Sequence, residues 1–402
     1  MEEIIELFFK AANMQRWNDH IRPVELVELD KQAHKIIIAY VLAKTEEDDK
    51  DNVEIDWNQL IEKFLFEFFY RIVLTDIKPQ VFHKMMKEKK ENLNNFVLEK
   101  VGFKLSNFNE DFGKRFEKYV NFNKESKEDR IIRAAHYLAT NWEFKIIYNA
   151  GPFIYRIEET KENIENQIED YYDLLGVQKF LLGKKLYGFV DLCGQLRFQK
   201  RWSHTPRIPE TSVLGHMLVV AAISYFLTIN SIEKPCNERI YNNFFGGLFH
   251  DLPEVLTKEI ISPIKQSVEG LDDLIKKYER NQMEDKILPL IPKNWADELD
   301  YFTQDEFENK IRKENEILAI SFDEIDKYNE DTFSPIDGEL IEVADKLAAF
   351  AEAIISIQYG VKPKELRDAS KSIEDVWKGK EVHGMDVSKI FGNLEELIKN
   401  NF

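Results

Sequence analysis

Apolar residues recur at three- and four-residue intervals along almost the whole chain, and this periodicity decides the fold class. It predicts helices over residues 2–13, 29–43, 57–74, 129–147, 213–229, 237–250, 267–283, 304–328 and 338–357. Period-two alternation is scarce. Only KFLLGKKLYGFVDL at 179–192 leaves strand and helix both open. With just 16 Gly and 12 Pro in 402 residues, the chain lacks the turn residues of a strand-rich architecture. The expectation is an all-α protein, long enough for two or three domains.

The formal net charge of -18 implies no broad basic face, which argues against extended nucleic acid or an anionic membrane as partner. The most apolar run, FLFEFFYRIVL at 64–74, is too short to span a bilayer and carries Glu67 and Arg71, so it reads as a core helix. Cys193 and Cys236 form neither a CxxC pair nor a disulfide framework, and the acidic start MEEIIELFF is unlike a signal peptide. A cytoplasmic location is expected. The charged stretch 157–172 reads as a solvated helix joining two halves, with the division placed at 1–178 and 179–402.

The halves share an order of features. Arg16-Trp17 precedes His34 as Arg201-Trp202 precedes His216; IVLT at 72–75 answers EVLT at 254–257; RAAHYLA at 133–139 answers EVADKLAAF at 342–350. Four matches in the same order argue for a tandem duplication. On this alignment His250, Asp251 and Glu254 face Phe68, Phe69 and Ile72, while Asp345 faces His136 and His216 faces His34. The first half would then have kept a fold and lost a site.

The second half places His216 early in one apolar helix, His250-Asp251 at the end of another, and Asp345 inside a third. Buried ionisable groups of this kind are costly unless they converge on a cation. Two imidazoles and two carboxylates without thiolates suit one divalent transition ion such as Mn, Co, Fe, Ni or Zn. The alternative for His216 alone is a satisfied core histidine. For Asp345 it is a buried ion pair, although adjacent Lys346, about 100° around the helix, is expected to be a poor partner. His204, in RWSHTPR, is expected in an exposed loop.

The arrangement H…HD…D resembles the HD-domain metal-dependent phosphohydrolase superfamily. Within it, Arg201-Trp202, HDLPEVLTKEIISP and Ala344-Asp345-Lys346-Leu347 resemble the bacterial deoxyribonucleoside 5'-monophosphate nucleotidases. The resemblance implies two HD-type helical bundles in tandem, the first (1–178) degenerate and the second (179–402) catalytic. It implies that His216, His250, Asp251 and Asp345 ligate one metal, and that Glu254, beside Asp251, is the catalytic acid/base. Arg201 can offer a planar fork to phosphate and Trp202 can pack on sugar or base. Glu259 stands where the related enzymes carry an aspartate that contacts the sugar, which puts deoxyribose selectivity in doubt; Ser262 shares that segment. The substrate implied is a small nucleotide, foremost a nucleoside 5'-monophosphate. Other HD hydrolases act on nucleoside triphosphates or signalling nucleotides, and a regulatory or scaffold protein with a vestigial site is the non-enzymatic alternative. Because related HD enzymes commonly dimerise, an intramolecular pseudo-dimer, monomeric in solution, is expected.

Overall fold

The computed structural model describes residues 1–49, 53–75, 77, 79–122, 124–258, 270–314 and 316–400. Glu259 and Ser262 lie outside the described residues. The fold is all-α, with two short antiparallel strand pairs among the described residues. Two compact units divide between Leu182 and Gly183. The ambiguous segment 179–192 is helical: Leu175–Leu181 ends just before Gly183, whose φ of +64° turns the chain into Lys185–Gln195. The charged stretch forms a helix, Ile157–Glu169, that buries Ile157, Ile164 and Ile168 and belongs to the first unit. No helix among the described residues is long and apolar enough to cross a membrane.

In the first unit the principal helices are α1 (Glu2–Asn13), α2 (Glu28–Asp49), α3 (Trp57–Leu74) and α4 (Lys127–Ala150). Asp56 starts α3 by accepting the Gln59 N–H at 2.9 Å, and Ser126 with Asp129 forms a capping box that starts α4. The phenylalanine run of α3 is core. Phe68 stacks on Phe8 of α1 at 4.3 Å, and Phe66 packs on Phe112 and Phe116.

The second unit is built on α5 (Val213–Ile229), α6 (Asn237–Phe249), the short α7 (Glu254–Thr257) and α8 (Gly338–Gln358). Helix α5 is buried on every face as far as Thr228, which is why its sequence is apolar all round. Gly247 lets α6 approach α5 closely, since a Cβ there would meet the Ala221 Cα at 3.0 Å. The helix expected over 304–328 does not form. Its middle is an antiparallel pair, β1 (Lys310–Lys313) with β2 (Glu316–Ala319), followed by a 3-10 helix at Phe322–Tyr328. The reason is tertiary: Lys310 and Ile336 exchange both backbone hydrogen bonds, at 3.0 and 2.8 Å, which holds Lys310 extended.

The stacked Phe68 gives a direct test of the first core. Phe68→Ala is expected to destabilise the first unit by about 3–5 kcal/mol, read as a lower denaturant midpoint of its unfolding.

Candidate metal centre

Ser212 caps α5 by accepting the Gly215 N–H at 2.9 Å, which places His216 one turn into the helix with its ring fully buried. At the end of α6 the chain keeps helical backbone angles at His250, and that ring turns back to donate Nδ1–H to the Gly247 carbonyl at 2.8 Å. A carbonyl only accepts, so the proton is fixed on Nδ1. His250 Nε2 is left buried without a hydrogen-bond partner. Asp251 Oδ2 lies 3.2 Å from His250 Nε2 and 3.9 Å from His216 Nε2. These three residues bring their ligand atoms within 4.8 Å of one another. Asp345, from α8, joins through Oδ1, 2.9 Å from His216 Nε2. An orphaned imidazole nitrogen facing a second imidazole and a carboxylate fits a divalent transition ion, and the residues present suit it.

Burial alone would neutralise these groups. Desolvation works against the charged forms, but Asp251 overrides it at His250 and pushes that pKa up to about 9. Asp251 is likewise held well below the usual carboxylate range: burial opposes ionisation, while His250, His216 and Arg201 favour it. At Asp345, Lys346 and then His216 outweigh burial in the same direction.

Lys346 corrects an expectation. Its Nζ lies 2.8 Å from Asp345 Oδ2 although the two residues are neighbours on one helix. The flexible stem folds back across the helix surface, with the ammonium over the Phe307 ring at 5.6 Å.

Around the ligands, Arg201 Nη1 sits 3.5 Å from Asp251 Oδ2 and Arg201 Nε 3.3 Å from Glu352 Oε2. Trp202 donates its indole N–H to the same Glu352 oxygen at 2.8 Å and has φ of +58°. Glu254 opens α7 directly after the His250-Asp251 turn, half-buried. His204 is exposed, as expected. Sequence reasoning missed Glu352. The signal was present: a single carboxylate in the apolar run LAAFAEAII, two turns beyond Asp345 and therefore on the same helix face.

The first unit holds the same clamp. Arg16 Nε and Trp17 Nε1 both donate to Glu143 Oε2 at 2.9 Å, and Trp17 has φ of +54°. The backbone agrees: Gln15 bridges Val27 as Lys200 bridges Ser212, and α2 begins at Glu28 as α5 begins at Val213. Lys31 therefore stands where His216 does, three residues into its helix. This corrects the pairing of His216 with His34, which is a core residue set edge-on to Trp142 at 5.0 Å. Helix α3 closes at Thr75 (φ +60°), whose N–H donates to the Arg71 carbonyl. Likewise α7 closes at Lys258 (φ +64°), whose N–H donates to that of Glu254. Matching these caps sets Arg71, Glu67 and Phe68 in the places of Glu254, His250 and Asp251, one residue from the pairing suggested by the shared VLT letters. Lys31 Nζ lies 2.5 Å from His136 Nδ1, and Lys35 Nζ 2.9 Å from Glu67 Oε1. Among the described residues, His216, His250 and Asp251 are the group that could hold a metal.

The second unit is all-α and brings two imidazoles and a carboxylate, from α5 and the end of α6, to one point, a group that could hold a metal ion. Residues 193–374 match the family model of the HD domain, which supports placing this unit in the HD-domain superfamily, in general metal-dependent phosphohydrolases. No curated protein matches the chain.

The raised His250 pKa has a stability consequence in chelator-treated protein. Its folded value of about 9 exceeds the ordinary 6.5, so the contribution is complete below pH 6.5 and is lost as pH rises through 9. The loss is on the order of 3 kcal/mol. The thermal midpoint of the second unit is expected to fall across that window, and the slope to vanish in His250→Gln.

Proposed function

We propose that this chain hydrolyses the phosphoester of a nucleoside 5'-monophosphate at the centre formed by His216, His250, Asp251 and Asp345. The observation that carries this reading is the Arg201 guanidinium, 3.5 Å from the Asp251 carboxylate oxygen that faces both imidazoles. A planar fork beside the ligand set is suited to hold one phosphate against it. A divalent ion bound there supplies a nucleophile at neutral pH and neutralises phosphoryl charge.

The chain's own residues do the rest. Arg201 holds the phosphate in place and offsets its charge. Glu254, one turn past His250-Asp251, moves the proton of the attacking water or of the leaving sugar oxygen. Trp202, half-buried with its N–H engaged by Glu352, offers its ring face to sugar or base. Cys193 and Cys236 are both free thiols, in keeping with a reducing cytoplasm.

We also propose that the first unit is a duplicated HD-type bundle that has lost its metal site. The paired Arg-Trp-Glu clamps, the matched bridges and the matched caps support common descent. Lys31, Glu67 and Phe68 account for the loss of the site, because a lysine and a carboxylate replace the two imidazoles and a phenyl ring replaces the Asp251 carboxylate. In this reading the two bundles form an intramolecular pseudo-dimer.

Purified chain loaded with Mn(II) or Co(II) is expected to release inorganic phosphate from nucleoside monophosphates. Release of pyrophosphate or triphosphate from nucleoside triphosphates instead would replace this reading with a different HD activity. No turnover on any nucleotide, with metal bound, would favour a regulatory protein. Glu254→Gln is expected to lower kcat by about 10²–10⁴-fold with metal still bound, whereas Asp251→Ala is expected to lose metal and activity together. Elemental analysis is expected to find one divalent ion per chain, and sedimentation to find a monomer.

A further inference from the structure

The Glu352 carboxylate has no part in the reaction just proposed, yet it reaches several of that site's groups. It is buried, with 1 % of its surface exposed. Oε2 accepts from Trp202 Nε1 at 2.8 Å and from Arg201 Nε at 3.3 Å. Oε1 accepts from Thr211 Oγ1 at 2.6 Å and lies 3.7 Å from His216 Nδ1. We infer that Glu352 is a positioning residue of the metal centre, biasing the His216 proton onto Nδ1 and anchoring Arg201 beside Asp251.

A histidine can ligate through one nitrogen only if its proton is kept on the other. His250 meets this requirement with the Gly247 carbonyl. His216, inside α5, has no such bond; its Nδ1 is buried without a hydrogen-bond partner. The Glu352 oxygen at 3.7 Å is too far for a hydrogen bond, but in a water-poor interior its charge favours a proton on the near nitrogen. Nε2 also lies 2.9 Å from Asp345 Oδ1, which competes for the same proton. A cation taken up between Nε2 and Asp345 would remove that competition, and the Glu352 charge would then keep the proton on Nδ1. The second consequence concerns Arg201. With Nε held by Glu352, its Nη1 points at Asp251 and its position is set before substrate arrives.

The first unit separates this role from a purely architectural one. Glu143 makes the same contacts to Arg16 and Trp17, but the residue in the place of His216 is Lys31, with no ring to orient. The clamp is therefore a building device in both units, and the duty toward an imidazole exists in the second alone. The inference rests on the metal reading above, and the test keeps the two apart.

Full-length Glu352→Gln and Glu143→Gln are compared with the parent protein by titration calorimetry with Mn(II) and by thermal melting. Both are expected to lower the melting point. Only Glu352→Gln is expected to weaken Mn(II) binding, by about 10–100-fold. Equal Mn(II) affinity in parent and Glu352→Gln, or an equal loss in Glu143→Gln, would overturn the positioning role. A parent chain that binds no Mn(II) or Co(II) would overturn the metal reading, and this one with it. Should Glu352→Gln fail to fold, nitrogen-15 NMR of the Zn(II)-loaded parent decides. Protonated Nδ1 with Nε2 bearing the ion is expected at His216, and the reverse assignment would overturn the inference.

Discussion

A carboxylate buried in an apolar helix survives only where the fold brings cationic or polar donors to it, and each unit is organised around one such group. Glu143 and Glu352 are 0 % and 1 % exposed. Each draws in the Arg-Trp pair of the preceding loop, and the tryptophan adopts a left-handed backbone conformation to do so. That conformation costs about 1–3 kcal/mol for a bulky residue. Hydrogen bonds to a charged acceptor, at roughly 1.5–3 kcal/mol each, offset it. Once closed, the clamp fixes where α2 and α5 begin, because the arginine N–H donates to the residue just before the helix cap: Arg16 to Leu26 and Arg201 to Thr211. The first turns of those helices, which carry Lys31 and His216, are thereby placed.

Around these two clamps the units carry different chemistry. In the second, the corresponding positions hold imidazoles and carboxylates, a set that could hold a metal ion. In the first, basic side chains of the chain itself attend the carboxylates: Arg16 and Arg71 attend Glu28 and Lys35 attends Glu67, while burial and the Arg16 charge push Lys31, which meets His136, well below the usual lysine range. Burial and neighbouring arginine and lysine charges push His136 well below its ordinary value, so it meets Lys31 as a neutral ring. The first unit needs no ion to neutralise its carboxylates.

The all-α class and the paired helices were legible because burial imposes a 3.6-residue period that local sequence carries directly; 57–74 and 213–229 match the observed helices residue for residue. The ligand candidates were legible because ionisable groups in apolar helices are conspicuous, and His216, His250 and Asp251 do converge. What failed depended on tertiary geometry. The segment 304–328 is extended in its middle because Ile336 lies beside it. The pairing with His34 followed letter identity, whereas the register is set by caps and bridges that only backbone angles show. Lys346 was discounted from an angle around the helix, a measure that ignores how far a lysine reaches. Glu352 carried a signal of the same kind as Asp345 but no matching motif to draw the eye.

Helix α8 needs its rotation fixed about its own axis for Asp345 and Glu352 both to face His216 of α5, as they do. The clamp at Glu352 supplies one point, and the helix start supplies the other. Asp337 caps α8 through the Leu340 N–H, and its own carboxylate is gripped by Arg239 of α6 at 2.9 Å and by His383 at 2.5 Å. Its backbone N–H donates to Asn243 of α6, whose amide donates in turn to Thr228 of α5. A polar chain thus ties the start of α8 to the two helices that present His216 and His250. With both ends of the span from Asp337 to Glu352 held, Asp345 in the middle has one azimuth open to it. The precision of the centre therefore comes from buried polar contacts at some distance from it, which explains why a largely apolar unit tolerates the fully buried Arg239 and Asp337.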